Sequence, residues 1–515
     1  MNSPRFAISQ LTAGSAGAGL AVIDGEARAS YAALEHASNR VANGLGSLGL
    51  QHQDRVAFLG RNGLPCLEVL IGAAKAGLVP TLLNWRLSRR ELDYVVRDSQ
   101  AKVIFVTDEF ASLLPDPLPP ATQVIVVEGA SASYPGWRDA QSDALAADLC
   151  APDDVAVQIY TSGTTGRPKG AMLTHLGFVE TIPDLSEVWQ LDSSSVVLCV
   201  LPMFHIAGVG TALATLWRGG TLVIENDARP DITLADIAAH GGTNLVLASV
   251  MLRGLVEATE RSDADLSTLR TVSYGAAPIT QQVLEQAVAR LECRMVQPYG
   301  LTETTGVVTI LDAADHDGPV DDVPKAARLR SCGRARPGVE LQVVDVDTHA
   351  PVAPGTAGEI WVRTPRLMKG YWNQPDATTE ALLPDGWFRT GDLGALDEDG
   401  YLFLHDRLKD MIVSGGENVY PAEVEEVLLL HPAVAEAAVI GVPHDRWGET
   451  PKAVVVLIPG GEATERQLIE LARDQLAHYK CPTAIEFVAV LPRNASGKVL
   501  RRVLREQQLT ADNQR

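Results

Sequence analysis

The residues best suited to chemistry are concentrated in one stretch, Tyr160-Thr161-Ser162-Gly163-Thr164-Thr165-Gly166-Arg167-Pro168-Lys169-Gly170. It carries four aliphatic hydroxyls, three glycines and two cations in eleven residues. Glycines let a backbone turn its amides toward an anion, hydroxyls donate to phosphate oxygens, and cations neutralise charge. A short apolar run, Val155 to Tyr160, precedes it and reads as a buried strand. The loop is not a Walker A element, because Pro168 stands where G-K-[ST] needs glycine. A Ser/Thr/Gly-rich turn alone is usually only a loop. The strand before this one and its Pro-Lys-Gly ending make the signal far more specific than a plain turn.

Four other positions carry useful side chains. Glu303 follows Tyr299-Gly300-Leu301-Thr302, Asp392 follows Thr390-Gly391, Lys498 closes Ala495-Ser496-Gly497, and His205 closes Leu201-Pro202-Met203-Phe204. Taken singly they read as a surface acid, a turn aspartate, a solvated lysine and a packed core histidine. An ionised carboxylate such as Asp392 accepts two hydrogen bonds, the number that two adjacent hydroxyls donate. Lys498 belongs to a basic run with Arg493, Arg501, Arg502 and Arg505, whose plain reading is a solvated helix face. No G-x-S-x-G occurs, which disfavours a serine hydrolase.

The elements that must position these groups alternate apolar runs with amphipathic ones. Val56 to Leu59 and Val103 to Val106 read as strands, with helices over Tyr31 to Leu48 and Pro65 to Ala76. Further strands are expected at Val196 to Val200, Thr221 to Ile224, Leu245 to Leu247 and Thr271 to Tyr274. This is an α/β pattern with layered, largely parallel sheets. From about Cys332 the strands shorten (Glu340 to Val346, Gly358 to Arg363, Gly400 to His405), suggesting a small β-barrel-like region. After Asp406-Arg407-Leu408-Lys409-Asp410 comes a pattern of helices at Pro421 to Leu430 and Glu465 to Leu476, with strands at Val434 to Gly441, Ala453 to Ile458 and Ile485 to Val490. The expected division is residues 1–405, a hinge at 406–410, and a smaller α+β domain at 411–515.

Composition limits the ligands. The 515 residues include 43 Lys plus Arg against 64 Asp plus Glu, a net charge of −21. Such a surface repels phosphate backbones, which excludes sequence-independent nucleic-acid binding. Residues 411–515 hold 11 basic and 14 acidic residues, so most of the excess acid lies earlier. Six scattered cysteines fit neither a disulfide scaffold nor a thiolate zinc site. No run of about 18 apolar residues and no basic-then-hydrophobic start occurs, so the expectation is a cytoplasmic protein without an integral membrane segment.

Thr161 to Gly170 resembles the signature loop of the adenylate-forming superfamily, which includes acyl-CoA synthetases, firefly luciferase and peptide-synthetase adenylation domains. Tyr274-Gly275-Ala276-Ala277-Pro278 resembles its adenine-binding segment, and Tyr299 to Glu303 its Y-G-x-T-E element. Thr390-Gly391-Asp392 and Asp406 to Asp410 resemble its ribose-binding and hinge elements, and Pro492 to Lys498 its C-terminal lysine motif. The order along the chain is the family's.

The resemblance implies ATP, Mg²⁺ and coenzyme A as ligands. Thr161, Ser162, Gly163, Thr164, Thr165 and Lys169 would grip the β- and γ-phosphates, Thr302 the α-phosphate, and Glu303 with Thr165 the Mg²⁺. Gly275, Ala276, Ala277, Tyr299 and Gly300 would surround the adenine, and Asp392 and Arg407 the ribose. Lys498 would be the adenylation lysine and Lys409 the pivot, with Gly415 and Gly416 passing close to a pantetheine arm. Resemblance to a P-x-F-H segment makes His205 a gate to an acyl tunnel, where the small residues after it, Gly208 among them, would leave room for a chain. Tyr274, Gly300 and Val307 are further wall candidates.

No aspartate that would bind a substrate ammonium stands in Pro202 to Gly210, which favours an acid without an amine. The expected activity is an AMP-forming acid–CoA ligase acting on a medium- or long-chain fatty acid. Alternatives are an aryl-acid CoA ligase, a ligase loading a carrier protein, and a silent nucleotide-binding regulator. The last would be expected to lack Lys498, Lys169 or Glu303, and all three are present. A homodimer is left open.

Overall fold

The computed structural model describes residues 7–11, 19–144, 149–161, 167–226, 228–275, 279, 281–316, 328–414, 417–444, 447–493 and 498–512. The chain forms two compact units, the first Met1–Glu340 with Val362–Phe388 and the second Leu341–Trp361 with Arg389–Arg515.

The first unit holds two large sheets. In one, the strands Leu20–Asp24, Thr221–Ile224, Val196–Cys199, Asn244–Ala248, Thr271–Gly275 and Arg294–Tyr299 run parallel in that order. Antiparallel strands occupy its edges, giving nine in all. The other has six, in the order Gln123–Val126, Val103–Val106, Arg55–Leu59, Val79–Leu83, Val155–Thr161 and Lys169–Thr174. Its pairs are parallel except the last.

Central strands of such sheets are covered on both faces and read as unbroken apolar runs. Val103–Val106 is buried at every position, which is why that strand was visible without its partners. The covering helices carry their own signals. Tyr31–Gly46 starts where the Ser30 side chain accepts from the Ala33 N–H, and Leu64–Lys75 starts with Pro65 in its first turn.

The second unit holds two smaller sheets. In place of the expected barrel, Glu340–Val344, Gly358–Arg363, Phe388–Leu396 and Leu402–Arg407 form a four-stranded sheet in chain order. Its two end strands are not paired to each other among the described residues. Most of each of its four strands belongs to the same unit as the C-terminal residues. The five-stranded sheet centres on Val434–His444 paired antiparallel with Gly448–Leu457.

Alternation separates the two faces of that pair. Val439, Ala453 and Val455 pack with Val424, Leu428 and Leu468 from the helices Pro421–Leu428 and Glu465–Gln475. Ala438, Ile440 and Val454 pack on the other side with Leu491 and Leu504, the latter from the helix Arg501–Asp512. The basic run is therefore an anchored helix with a buried side. Among the described residues no helix is long and apolar enough to cross a membrane.

Candidate active site

Thr161 ends one strand of the first unit and Lys169 begins the next, and the two stand opposite each other in an antiparallel pair. The two ends of the phosphate loop are thus held side by side. Ser162, Gly163, Thr164 and Thr165 lie outside the described residues. Below the loop, Tyr160 donates to Asp98 Oδ2 at 2.7 Å and accepts from Gln158 Nε2 at 3.2 Å. Burial pushes the Tyr160 phenol well above its ordinary value, so it is a neutral support for the strand.

Glu303 approaches the same point from a different sheet. The strand Arg294–Tyr299 delivers the chain into a tight turn at Thr302–Thr304. The turn closes through Thr304 N–H to Leu301 O (3.2 Å) and Gly306 N–H to Leu301 O (3.0 Å). Gly300 is required by close approach, since a methyl there would lie 1.6 Å from the Gly306 carbonyl oxygen.

The Glu303 side chain is buried, at 8% exposure. Its Oε1 accepts from the Tyr371 hydroxyl at 2.8 Å and from Thr161 Oγ1 at 3.5 Å. The Tyr371 ring also receives Lys169, whose Nζ is 4.9 Å from the ring centroid. Thr161, Lys169, Glu303 and Tyr371 therefore converge. Tyr371 was not anticipated from sequence. It arrives because residues 369–372 line up along Lys169–Thr174, with Trp372 N–H to Gly170 O at 2.8 Å and Met172 N–H to Gly370 O at 3.0 Å. The neighbouring Met368 N–H donates to Glu303 O at 2.7 Å, and Thr305 Oγ1 to Arg366 O at 2.6 Å.

His205 caps the helix Ile206–Arg218, its ring tilted against Phe204 at 4.7 Å between centroids. Its Nε2 is buried with no hydrogen-bond partner among the described residues. Burial, with the Arg86 charge adding to it, pushes its pKa down to about 4, so the ring is neutral near pH 7. Arg86 and Arg61 both lie over the Trp85 ring, at 4.8 and 4.7 Å, a cationic and aromatic group that sequence reading did not single out. The Glu303 turn is a neighbour of this region: a methyl on Gly306 would meet Ile206 Cγ1 at 3.7 Å.

Two expected pocket walls need correction. Gly208 does not open space, because a methyl there would lie 2.1 Å from the Pro202 carbonyl oxygen. Its smallness lets the helix approach residues 201–202. Tyr274 has no exposed surface, and its hydroxyl is 2.8 Å from His316 Nε2 within the apolar core. Val307 is nearly buried. Gly275 ends its strand and accepts from Ser249 Oγ at 3.1 Å, while Ala276 and Ala277 lie outside the described residues.

In the second unit, Asp392 and Arg407 are partners in one antiparallel register. Asp392 is 6% exposed, and its N–H donates to Thr390 Oγ1 at 3.0 Å. Gly391 precedes it in the left-handed region at φ +67°, a local irregularity within the strand Phe388–Leu396. Lys409 lies in the short turn Leu408–Asp410, and Lys498 is exposed just before the C-terminal helix. Gly415 and Gly416 lie outside the described residues.

Thr161, Lys169, Glu303 and Tyr371 thus lie together in the first unit, and Asp392 and Arg407 stand opposite each other in the second. The chain belongs to the AMP-binding enzyme family: that family's model matches residues 12–372, and the AMP-binding enzyme C-terminal domain matches 423–498. Its relatives include the fatty acid–[acyl-carrier-protein] ligase ScoC of Streptomyces coeruleorubidus, 39% identical over 93% of this chain and 91% of that one. The feruloyl-CoA synthase of Amycolatopsis sp is 38% identical over 95% of each. Among solved structures, ATP-bound MatB from Rhodopseudomonas palustris superposes with a TM-score of 0.88 at 32% identity, over 98% of both chains. The protein is thus an enzyme of the acyl- and aryl-CoA ligase group.

The site fits Mg²⁺ in one particular way. Among the described residues no group of three or more His, Cys, Asp or Glu side chains is placed to hold a metal ion. One buried carboxylate beside a hydroxyl suits a cation that takes most of its oxygens from nucleotide phosphates and water.

Proposed function

We propose that the enzyme joins a medium- or long-chain fatty acid to coenzyme A in two steps. In the first, the carboxylate oxygen attacks the α-phosphorus of ATP, giving an acyl-adenylate and pyrophosphate. In the second, the thiolate sulfur attacks the acyl carbon and AMP leaves with the carboxylate oxygen. The convergence of Thr161, Lys169, Glu303 and Tyr371 at the mouth of the phosphate loop carries the reading. Lys169 neutralises phosphate charge, the Thr161 hydroxyl donates to a phosphate oxygen, and Thr302 reaches the α-phosphate. Glu303 and Thr165 would hold Mg²⁺, which when bound screens the phosphates as the acid approaches. Asp392 and Arg407 take the ribose, and Tyr299 with Gly275, Ala276 and Ala277 the adenine.

Lys498 supplies a cation where carboxylate and α-phosphate meet, and it departs when the residues after 406–410 turn to present Gly415 and Gly416 to the thiol. Neutral His205 suits the acid end of the pocket, since it adds no charge that would hold the carboxylate in the ground state. The fatty-acid assignment is supported by the lack of an ammonium-binding aspartate in Pro202 to Gly210 and by the likeness to a fatty acid–[acyl-carrier-protein] ligase.

A carrier-protein thiol is the second reading, favoured by the likeness to ScoC. The test supplies ATP, Mg²⁺ and a panel of fatty and aromatic acids, with either CoA or a pantetheinylated carrier protein as acceptor. Thioester formed on CoA with C8 to C16 acids is the expected result. Exclusive transfer to the carrier, or turnover with aromatic acids alone, overturns the assignment.

A further inference from the structure

The segment 406–410 is tied to the rest of its unit by two carboxylates of different kinds. Asp406 Oδ2 accepts the Ala422 N–H at 2.9 Å, in the first turn of Pro421–Leu428, and Oδ1 lies 3.6 Å from Arg501 Nη1. Asp410 Oδ2 lies 3.8 Å from the same Nη1, and Oδ1 accepts from Arg505 Nη2 at 2.9 Å. Arg501 is itself fixed from behind. Its Nη2 donates to both oxygens of Glu425, at 2.7 and 2.9 Å, and Glu425 Oε1 also accepts the Val439 N–H at 2.7 Å. The side chains of Asp406, Asp410, Arg501 and Glu425 are 3, 9, 14 and 15% exposed, so these pairs are shielded from solvent.

The two aspartates flank Lys409. A change of φ and ψ at Lys409 carries with it everything that follows: Asp410, Ala422, Glu425, Arg501 and Arg505. The bonds of Asp410 travel intact. Those of Asp406 to Ala422 and Arg501 cannot, because these two lie beyond the pivot.

We propose that Asp406 and Arg501 form a latch that holds one of the two orientations the catalytic cycle needs, with Arg501 a positioning residue for the reaction. The proposal rests on the reading that the C-terminal residues turn at 406–410 between the half-reactions. Arg501 is three residues beyond Lys498, and the base of that segment is closed by a bridge between Arg493 and Val499 and by Leu500 N–H to Pro492 O at 2.8 Å. One guanidinium therefore links the pivot to the stem of the segment that bears the adenylation lysine. Opening the latch weakens one orientation against the other and shifts their populations.

Removing Arg501 would strand Glu425 as a buried unpaired acid, so Asp406→Asn is the informative change. It keeps an acceptor for Ala422 and loses the ion pair. Arg505→Gln is the control, since it breaks an ion pair with Asp410 that does not cross the pivot and leaves Arg501 its own partners. Two rates are measured for each purified, folded enzyme: dodecanoate-dependent ATP–pyrophosphate exchange, and single-turnover transfer from synthetic dodecanoyl-AMP to CoA. For Asp406→Asn the ratio of the two rates should change by roughly tenfold, from the loss of one buried charge pair, with one rate rising as the other falls. Arg505→Gln should leave the ratio at the wild-type value. Equal loss of both rates in Asp406→Asn, or no change in either, overturns the latch. The underlying reading fails separately: in that case Lys498→Ala retains pyrophosphate exchange whatever Asp406 does.

Discussion

The Tyr371 hydroxyl donates to Glu303 Oε1 at 2.8 Å while its ring lies 4.9 Å from Lys169 Nζ, so one side chain orients both an acid and a cation at the phosphate loop. Tyr371→Phe keeps the ring and deletes the donor. A hydrogen bond to a charged group contributes about 1.5–3 kcal/mol, which predicts roughly a tenfold to hundredfold loss of adenylation at limiting Mg²⁺. The loss should shrink as Mg²⁺ is raised, and Tyr371→Leu should be worse at every concentration. Pyrophosphate exchange across a Mg²⁺ titration gives the result; an unchanged Mg²⁺ dependence would remove Tyr371 from the site.

Asp392 is buried next to a left-handed glycine and paired in register with Arg407, the arrangement expected of a ribose clamp. Its replacement by Ala should raise the KM for ATP by roughly tenfold or more through lost charge-assisted hydrogen bonds. Discrimination is the sharper readout. The wild type should prefer ATP over 2′-deoxy- and 3′-deoxy-ATP, and Asp392→Ala should lose that preference.

Gly300→Ala forces a methyl against the Gly306 carbonyl, which belongs to the turn that presents Glu303. Overpacking of this kind costs about 1–3 kcal/mol, and here the turn must open to relieve it. A lowered Tm and a loss of adenylation larger than the loss of acyl transfer from supplied adenylate are expected. Equal activity in both assays would place the turn away from the ATP step.

His205 gives a pH signature. Its pKa is about 4 in the folded chain against 6.5 for an ordinary histidine. Between those values the unfolded chain binds more protons, so this group's contribution to stability is present above about pH 6.5 and is lost as pH falls toward 4. Urea denaturation should show wild type losing stability over that range faster than His205→Gln. Parallel curves would mean that the ring is solvated.

What could be read from the chain alone followed from where the deciding forces act. Strands such as Val103–Val106 and Thr221–Ile224 declare themselves through continuous apolar runs, because burial on both faces leaves no alternative. Lys169–Thr174 did not, since Lys-Gly-Ala-Met-Leu-Thr has little strand character and takes its state from a neighbour on each side. Thr161, Glu303 and Asp392 came to attention through motifs that resemble those of the family, since each alone reads as an ordinary loop or surface residue. Tyr371 is one of ten tyrosines and becomes special only when backbone pairing carries it 68 residues back to Glu303. Tyr274 was placed on a pocket wall from its neighbours in the chain, whereas its surroundings, His316 included, bury it. Arg501 and Arg505 looked like a solvated face because Asp406, Asp410 and Glu425 are more than 70 residues away.

The most direct test of the two-step reaction is ATP–pyrophosphate exchange driven by dodecanoate, measured for wild type and Lys498→Ala, alongside transfer from supplied dodecanoyl-AMP to CoA. The account predicts exchange in the wild type, its loss by roughly three orders of magnitude in Lys498→Ala, in line with removal of a transition-state cation, and near-normal transfer to CoA in both. Exchange by Lys498→Ala at a wild-type rate would contradict it.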